Sequence, residues 1–255
     1  MHLGCKPAGV ATTPVRARED VRRFFDDRAA SYVEQHGHAA RLLAYRLGLV
    51  RVHAHLRPTD VVLDVGCGPG DHLLALASEI ARGLGVDLSP GMIEAARVRQ
   101  QRSPWPARVS FAVDDAAELG SVASQSVDLA LCIGALEHML DQPAVLASIR
   151  RTLKPGGRLF CLTPDGDYLW YRALAPLLGI ATRHLSTDTF LSRAGLRALL
   201  AGAGFARIEV GAWTFIPKGD MPALAGQVLE ALALIGRVAR LPRLRGGLWV
   251  CAWNG

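Results

Sequence analysis

The segment Val62-Leu63-Asp64-Val65-Gly66-Cys67-Gly68-Pro69-Gly70 constrains the fold of this chain more than any other. Its first half is a short apolar run with strand composition, and its second half places glycines at alternate positions just before a helical pattern opening at Asp71. Glycine lets backbone approach a ligand closely, and open α/β sheets bind ligands beyond the carboxyl ends of their strands. The neighbouring sequence keeps the same alternation. Strands are expected at Val61–Val65, Leu84–Asp87, Val109–Val113, Val127–Ile133 and Leu159–Thr163, with helices at Asp71–Ala81, Pro90–Gln101, Ala144–Leu153 and Ser192–Ala203. Two last strands are expected at Ile208–Phe215 and Leu248–Trp253. Near-continuous apolar strands separated by helices predict a parallel sheet covered on both faces. Ser89-Pro90 marks a helix start, and Lys154-Pro155-Gly156-Gly157 marks a stop.

Half of the 255 residues are apolar and the mean hydropathy is +0.20, which excludes a disordered chain. The longest apolar stretches, Ala173–Thr182 and Val228–Gly236, reach about ten residues, where a membrane-spanning helix needs about 20. The first twenty residues carry no apolar signal-peptide core. The five cysteines are scattered, odd in number and without ligand spacing, so neither disulfides nor a metal site is expected, and a reducing cytoplasm is the expected location.

The identity of the ligand follows from the acids around the glycines. A dinucleotide fingerprint is G-x-G-x-x-G, whose helix amides hold a pyrophosphate. Here the spacing is G-x-G-x-G, Asp71 follows directly, and Asp64 precedes the turn; carboxylates at these places repel a polyanion. Asp87 ends the second strand, where an acid can accept hydrogen bonds from ribose hydroxyls. Asp114-Asp115 ends the third, where a carboxylate can accept from an adenine amino group. Acids at three consecutive strand ends suit a nucleoside with a cationic end, which points to S-adenosylmethionine (SAM), with S-adenosylhomocysteine as the product.

The stretches VLDVGCGPG, GVDLSPGMIEAAR, VDDAAEL, VDLALCIGALEHM and LKPGGRLFCLTP resemble the class I SAM-dependent methyltransferases, especially the small-molecule branch related to ubiquinone-biosynthesis enzymes. The resemblance is close over about residues 60–165 and looser through Thr187–Phe205. It implies a Rossmann-like, seven-stranded, mostly parallel sheet with helices on both faces, plus a helical lid. Residues 1–56 would form that lid, and 57–255 the SAM-binding core, with lid insertions at about 164–186 and 217–245. Carried over residue by residue, Gly66, Cys67 and Gly68 approach the methionyl part and Asp64 orients the loop from behind. Asp87 would bind the ribose, with Leu88 and Met92 on the adenine side. Asp115 looks like the adenine acceptor, with Ala116 beside it. The family's usual glycine is replaced by Asp114, so either aspartate could face the adenine. Ile133 would offer backbone to the methionine ammonium, and Tyr32 resembles the lid's cofactor-facing tyrosine. Asp64 and Asp114 also suit turn caps, and Cys67 suits a small space-filler.

If the acceptor loses a proton, a base is needed, and histidine titrates in the right range. His138, after the fourth strand, is the catalytic candidate, with packing or capping as the competing role. His36 and His38 lie at the break between two N-terminal helices and are candidate acceptor contacts, whereas His72 fits a solvated first turn. Trp170 and Trp213 stand in apolar, aromatic stretches suited to a hydrophobic acceptor pocket or to packing. Met221–Leu244 reads as a helix with Leu224, Val228, Leu229, Leu232, Ile235 and Val238 inward and Arg237, Arg240, Arg243 and Arg245 trailing. Such a helix serves as a lid, a homodimer contact or a peripheral membrane contact. The expected function is methyl transfer to a small hydrophobic or aromatic acceptor by in-line displacement. A nucleic-acid methyltransferase would use the +6 net charge, but no [N/D]-P-P-[Y/F] element appears and the basic residues are dispersed, so no nucleic-acid partner is expected. A noncatalytic SAM-binding protein is the third reading.

Overall fold

The computed structural model describes residues 12–29, 39–216 and 223–255. Its centre is a seven-stranded sheet of β1 (Val61–Val65), β2 (Arg82–Asp87), β3 (Val109–Val113), β4 (Val127–Ile133), β5 (Leu153–Pro164), β6 (Arg207–Thr214) and β7 (Gly246–Trp253), in the order β3-β2-β1-β4-β5-β7-β6. The first five are parallel to one another, while β7 pairs antiparallel with both β5 and β6. The chain fills the sheet outward from β1 through β2 to β3 and then crosses back to lay β4 on the other side of β1, so the parallel carboxyl ends of β1 and β4 open a crevice at this switch point.

Side-chain alternation builds a core on each face. Leu63, Val65, Ala130, Cys132, Leu159 and Cys161 point to one side, while Val62, Leu129, Leu131, Phe160 and Leu162 point to the other. The first side is covered by helices α5 (Gln142–Thr152) and α7 (Arg193–Gly202), through Val145, Ile149, Leu196 and Leu200. The second is covered by α2 (Ala39–His53), α3 (Asp71–Leu76) and α4 (Pro90–Gln101), through Leu47, Val50, Leu73, Leu76 and Ile93. Ser89, Asp141 and Ser192 cap α4, α5 and α7 by accepting from the amides of Met92, Ala144 and Gly195; each such cap contributes about 1 kcal/mol.

Helix α3 stops five residues earlier than its pattern suggested, because the amides of Ala81 and Arg82 turn to Asp60 O as the chain enters β2. Buried Arg158 donates to the carbonyls of Ala54 and His55 and pairs with buried Asp60, pinning the end of α2 to the sheet. Helix α2 is therefore part of the core wall, and α1 (Arg18–Asp26) is the N-terminal helix that lies along the cleft described below.

After β5, a π-helical segment (Trp170–Leu174) runs into α6 (Ala175–Leu177). Helix α8 (Ala223–Val238) packs on this segment. The inward set expected for α8 needs correction: Leu229 is buried and Leu232 partly so, but Val228, Ile235 and Val238 are exposed. The buried stripe instead uses the small residues Ala233 and Gly236, which allow closer approach; a Cβ on Gly236 would lie 2.7 Å from Leu244 Cβ.

Candidate functional site

The glycine turn is held under tension-free but exclusive geometry. Gly66 and Gly68 have φ of +71° and +52°, a left-handed region that penalises other residues. A Cβ on Gly66 would also fall 2.6 Å from Ala135 Cβ, whereas one on Gly68 would meet open space. The amides of Gly66 and Cys67 donate to Val86 O, and that of Gly68 donates to Asp87 Oδ2 at 2.9 Å. The turn thus leans on the end of β2 and leaves its outer side open.

That open side forms one wall of a cleft of about 880 Å³, counted out to its mouth. Gly66, Gly68, Asp87, Leu88 and Met92 line one stretch, and Asp114, Asp115 and Ala116 line the next. Gly134, Ala135, His138, Met139 and Leu140, following β4, form the far end, with Val21 and Phe25 of α1 across from them. Residues from the ends of four strands, β1 to β4, thus meet in one space. Tyr32 and His36, with His38, lie outside the described residues.

Asp87 is half-buried in the cleft wall, and desolvation there, helped by the charge of Asp26, pushes its carboxyl up despite amide donors from Ser89, Gly68 and Leu88. The two aspartates after β3 divide the work between them. Asp114 accepts from the amides of Asp115, Gly120 and Ser121 and from the Ser121 hydroxyl. Burial opposes ionisation there, but these donors outweigh it and hold the carboxyl below its usual range. Asp114 clasps its loop. Asp115 accepts from the Ala117 amide and is paired with Arg18 of α1. Helix α1 is tied down at its other end too, where Asp26 accepts from the Ser89 hydroxyl and the Gly91 amide.

Two loop residues sit beneath the cleft, not in its lining. Cys67 is buried with Sγ 3.5 Å from Gly68 O, and burial raises its thiol well above the usual value, as a space-filler requires. Asp64 is 1% exposed, and neither carboxylate oxygen has a hydrogen-bond partner among the described residues. Burial, with the charges of Asp87 and Asp71, pushes it up to about 7. His72 Nδ1 lies 3.8 Å away, too far for a hydrogen bond. His72 is buried, contrary to the solvated position expected of it; burial and the charge of Arg46 push it down to about 3, leaving it neutral. Ile133 is buried in the sheet core, and its neighbour Gly134 lines the cleft.

His138 lies in the far end, with Nδ1 2.7 Å from Asp188 Oδ1. Asp188 is buried, and its other oxygen accepts from the amides of His184 and Leu185. Burial opposes a charge on His138, but the Asp188 hydrogen bond and the charges of Glu137 and Asp188 outweigh it and raise its pKa. For Asp188 the same bond outweighs burial and lowers it. An ionised Asp188 places the imidazole proton on Nδ1, so Nε2 is the nitrogen left to accept. The edge of Phe25 packs against the ring at 5.4 Å.

Trp170 and Trp213, read from sequence as acceptor contacts, do not line this cleft. Trp170 is buried with Tyr168, Ala175 and Leu229, and Trp213 packs in the sheet core and donates to Leu248 O at 3.2 Å. Arg18 and Met139 in the cleft lining, and Asp188 buried behind His138, are site residues that sequence reasoning missed. Each is distant in sequence from the glycine motif or lacks a spacing signal; Asp188 lies fifty positions from the histidine it holds.

The cleft's lining fits SAM better than a nucleotide polyphosphate. The half-buried carboxylate of Asp87 retains lone pairs for a ribose diol, and the glycine wall admits close approach of a chain. Four carboxylates in the lining, Asp87, Asp114, Asp115 and Asp141, would repel phosphates. A family model described as a methyltransferase domain matches residues 63–161. The demethylmenaquinone methyltransferase of Symbiobacterium thermophilum is 30% identical over 200 residues, spanning 73% of this chain and 75% of that protein. The ubiquinone biosynthesis O-methyltransferase of Xanthomonas axonopodis pv. citri is 30% identical over 184 residues, or 69% and 75% of the two chains. The solved structure of a SAM-dependent methyltransferase from Thermotoga maritima shares the fold, with a TM-score of 0.67 at 18% identity over 92% of this chain and 100% of that one. The architecture, the lining and these relatives agree: the chain belongs to the class I SAM-dependent methyltransferases.

Proposed function

We propose that this methyltransferase acts on a small, apolar, aromatic acceptor bearing an ionisable ring hydroxyl, and that His138 removes the hydroxyl proton. The carrying observation is the His138–Asp188 pair, 2.7 Å apart, at the apolar end of the cleft. The names of the two relatives, one a demethylmenaquinone and one a ubiquinone-biosynthesis methyltransferase, support a quinone-related acceptor.

When bound, SAM supplies an activated sulfonium methyl group, so the protein has to position, exclude water and move one proton. Asp87 would hold the ribose, Asp115 with Ala116 the adenine, and Gly66 and Gly68 the methionyl chain. Val21, Phe25, Ala135, Met139 and Leu140 provide the apolar wall for the acceptor. His138 takes the hydroxyl proton on Nε2, and Asp188 stays ionised and steadies the imidazolium. Loss of that proton makes both the oxygen and the adjoining ring carbon more nucleophilic, so one base serves either site of attack.

The test is a pH profile of turnover with short-chain demethylated quinols as probes. His138→Gln is expected to lower kcat by about 10²–10⁴-fold, with SAM affinity retained. Because the His138 pKa is raised, the acid limb of the wild-type profile should lie above 6.5, the ordinary histidine value. Asp188→Asn removes the partner that raises it, so the limb moves to lower pH while the plateau falls. Unchanged turnover in His138→Gln would sink the proposal.

A further inference from the structure

Helix α8 carries two apolar faces, and among the described residues only one is covered. Leu229 is buried against the segment containing Trp170 and Ala175, with Leu232 packed beside it, and Ala233 is buried on the same side of the helix. On the opposite side Val228, Leu234, Ile235 and Val238 are exposed, Val238 to 76%. Their spacing puts them on one stripe of the helix. The segment against which α8 packs adds Leu177 and Leu178 at its end, the former 84% exposed. A water-facing helix normally turns charged and polar residues outward, so an aliphatic outer stripe marks an interaction surface.

The charges beside this stripe indicate its occupant. Between Ala223 and Arg245 there are four arginines and a single acid, Glu230. Arg237, Arg240 and Arg243 are exposed and cluster at the end where Val238 and Leu241 protrude. Aliphatic side chains beside guanidinium groups match a lipid interface, where the former enter the acyl boundary and the latter meet phosphates. No described helix is long and apolar enough to cross a membrane, so the contact is with its surface. We propose that the outer face of α8, with the Leu177–Leu178 end of the preceding segment, docks on an anionic bilayer. The proposal concerns where the enzyme works and is independent of the acceptor's identity.

The test is vesicle flotation of the full chain with phosphatidylcholine containing 30 mol % phosphatidylglycerol (about that fraction gives a strongly negative surface), against pure phosphatidylcholine. Binding is expected to the anionic vesicles and to weaken with salt. Neutralising Arg240 and Arg243 together, as Gln, should weaken it about thirtyfold. The double variant Ile235→Glu, Val238→Glu should abolish it while the circular dichroism spectrum and SAM affinity stay as in wild type. These positions are exposed, so folding is spared. Equal binding to neutral vesicles, or no binding to anionic ones, overturns the proposal. So does a concentration-dependent dimer that the glutamates dissolve in the absence of any vesicle binding, since a second copy would then be the occupant.

Discussion

Replacing Asp64 by asparagine should stabilise the cofactor-free protein, and do so only above a definite pH. The carboxyl is 1% exposed, has no hydrogen-bond partner on either oxygen among the described residues, and faces the charges of Asp87 and Asp71. Its pKa is about 7 in the fold against an ordinary 3.8. Below pH 3.8 the group is protonated folded or unfolded and contributes nothing. Above it the unfolded chain ionises first, so the fold loses stability by about 1.4 kcal/mol per pH unit until the folded group ionises too. The accumulated loss above pH 7 is about 4 kcal/mol as an upper limit. Asparagine cannot ionise, but its amide hydrogens lack partners at this site, a cost of about 1–3 kcal/mol at every pH. The variant should therefore be slightly less stable than wild type near pH 4 and more stable at pH 8. Urea unfolding of both proteins across pH 4–8, without SAM, reads the difference directly. The slope is independent of the amide cost and is the decisive quantity. A stability difference that does not change with pH, or one that moves against the variant as pH rises, refutes the account of Asp64 as a buried, unsupported acid.

Asp87→Ala should weaken SAM binding by about 10- to 100-fold, the loss of charge-assisted hydrogen bonds, and also free the Gly68 amide that Asp87 now holds; calorimetric titration showing affinity within twofold of wild type would remove the ribose assignment. Arg158→Met should cost about 3–5 kcal/mol in urea unfolding, because buried Asp60 and the carbonyls of Ala54 and His55 lose their donor. Adding Asp60→Leu should return part of that loss, and a further drop would show that the pair is not what couples α2 to the sheet.

The parts of this molecule that are local in sequence are legible from the sequence alone. The strand-turn-helix at Val61–Leu76, the Ser89-Pro90 start of α4 and the acids at the ends of β2 and β3 each declare themselves within a few residues. Features that depend on tertiary assembly are not. Nothing around Thr187-Asp188-Thr189 announces that Asp188 will meet His138, because the encounter depends on how the segment after β5 folds back over the end of β4. Apolar composition also failed to separate pocket from core. Trp170 and Trp213 have the residue type of a binding wall, yet both fill space behind it, while the cleft takes its apolar surface from Phe25, Met139 and Leu140. In α8 the helical period is legible but the inner face only in part: Leu229 and Leu232 turn inward as expected, while Val228, Ile235 and Val238 turn outward and the small Ala233 and Gly236 are buried in their stead.

The strand order has a consequence for synthesis of the chain. Strand β7 lies between β5 and β6, so the interior edge of β5 has no neighbour on that side until β7 exists. Everything from residue 165 to residue 245 must leave the ribosome in the interval, which takes about 4–16 s at ordinary elongation rates of about 5–20 residues per second. During that time Phe160, Cys161 and Leu162, all buried in the finished sheet, form an open apolar strand edge on the nascent chain, a template for pairing with other chains. The yield of active protein in a cell should thus depend on the pace of translation across the stretch between β5 and β7, even for codon changes that leave every amino acid in place.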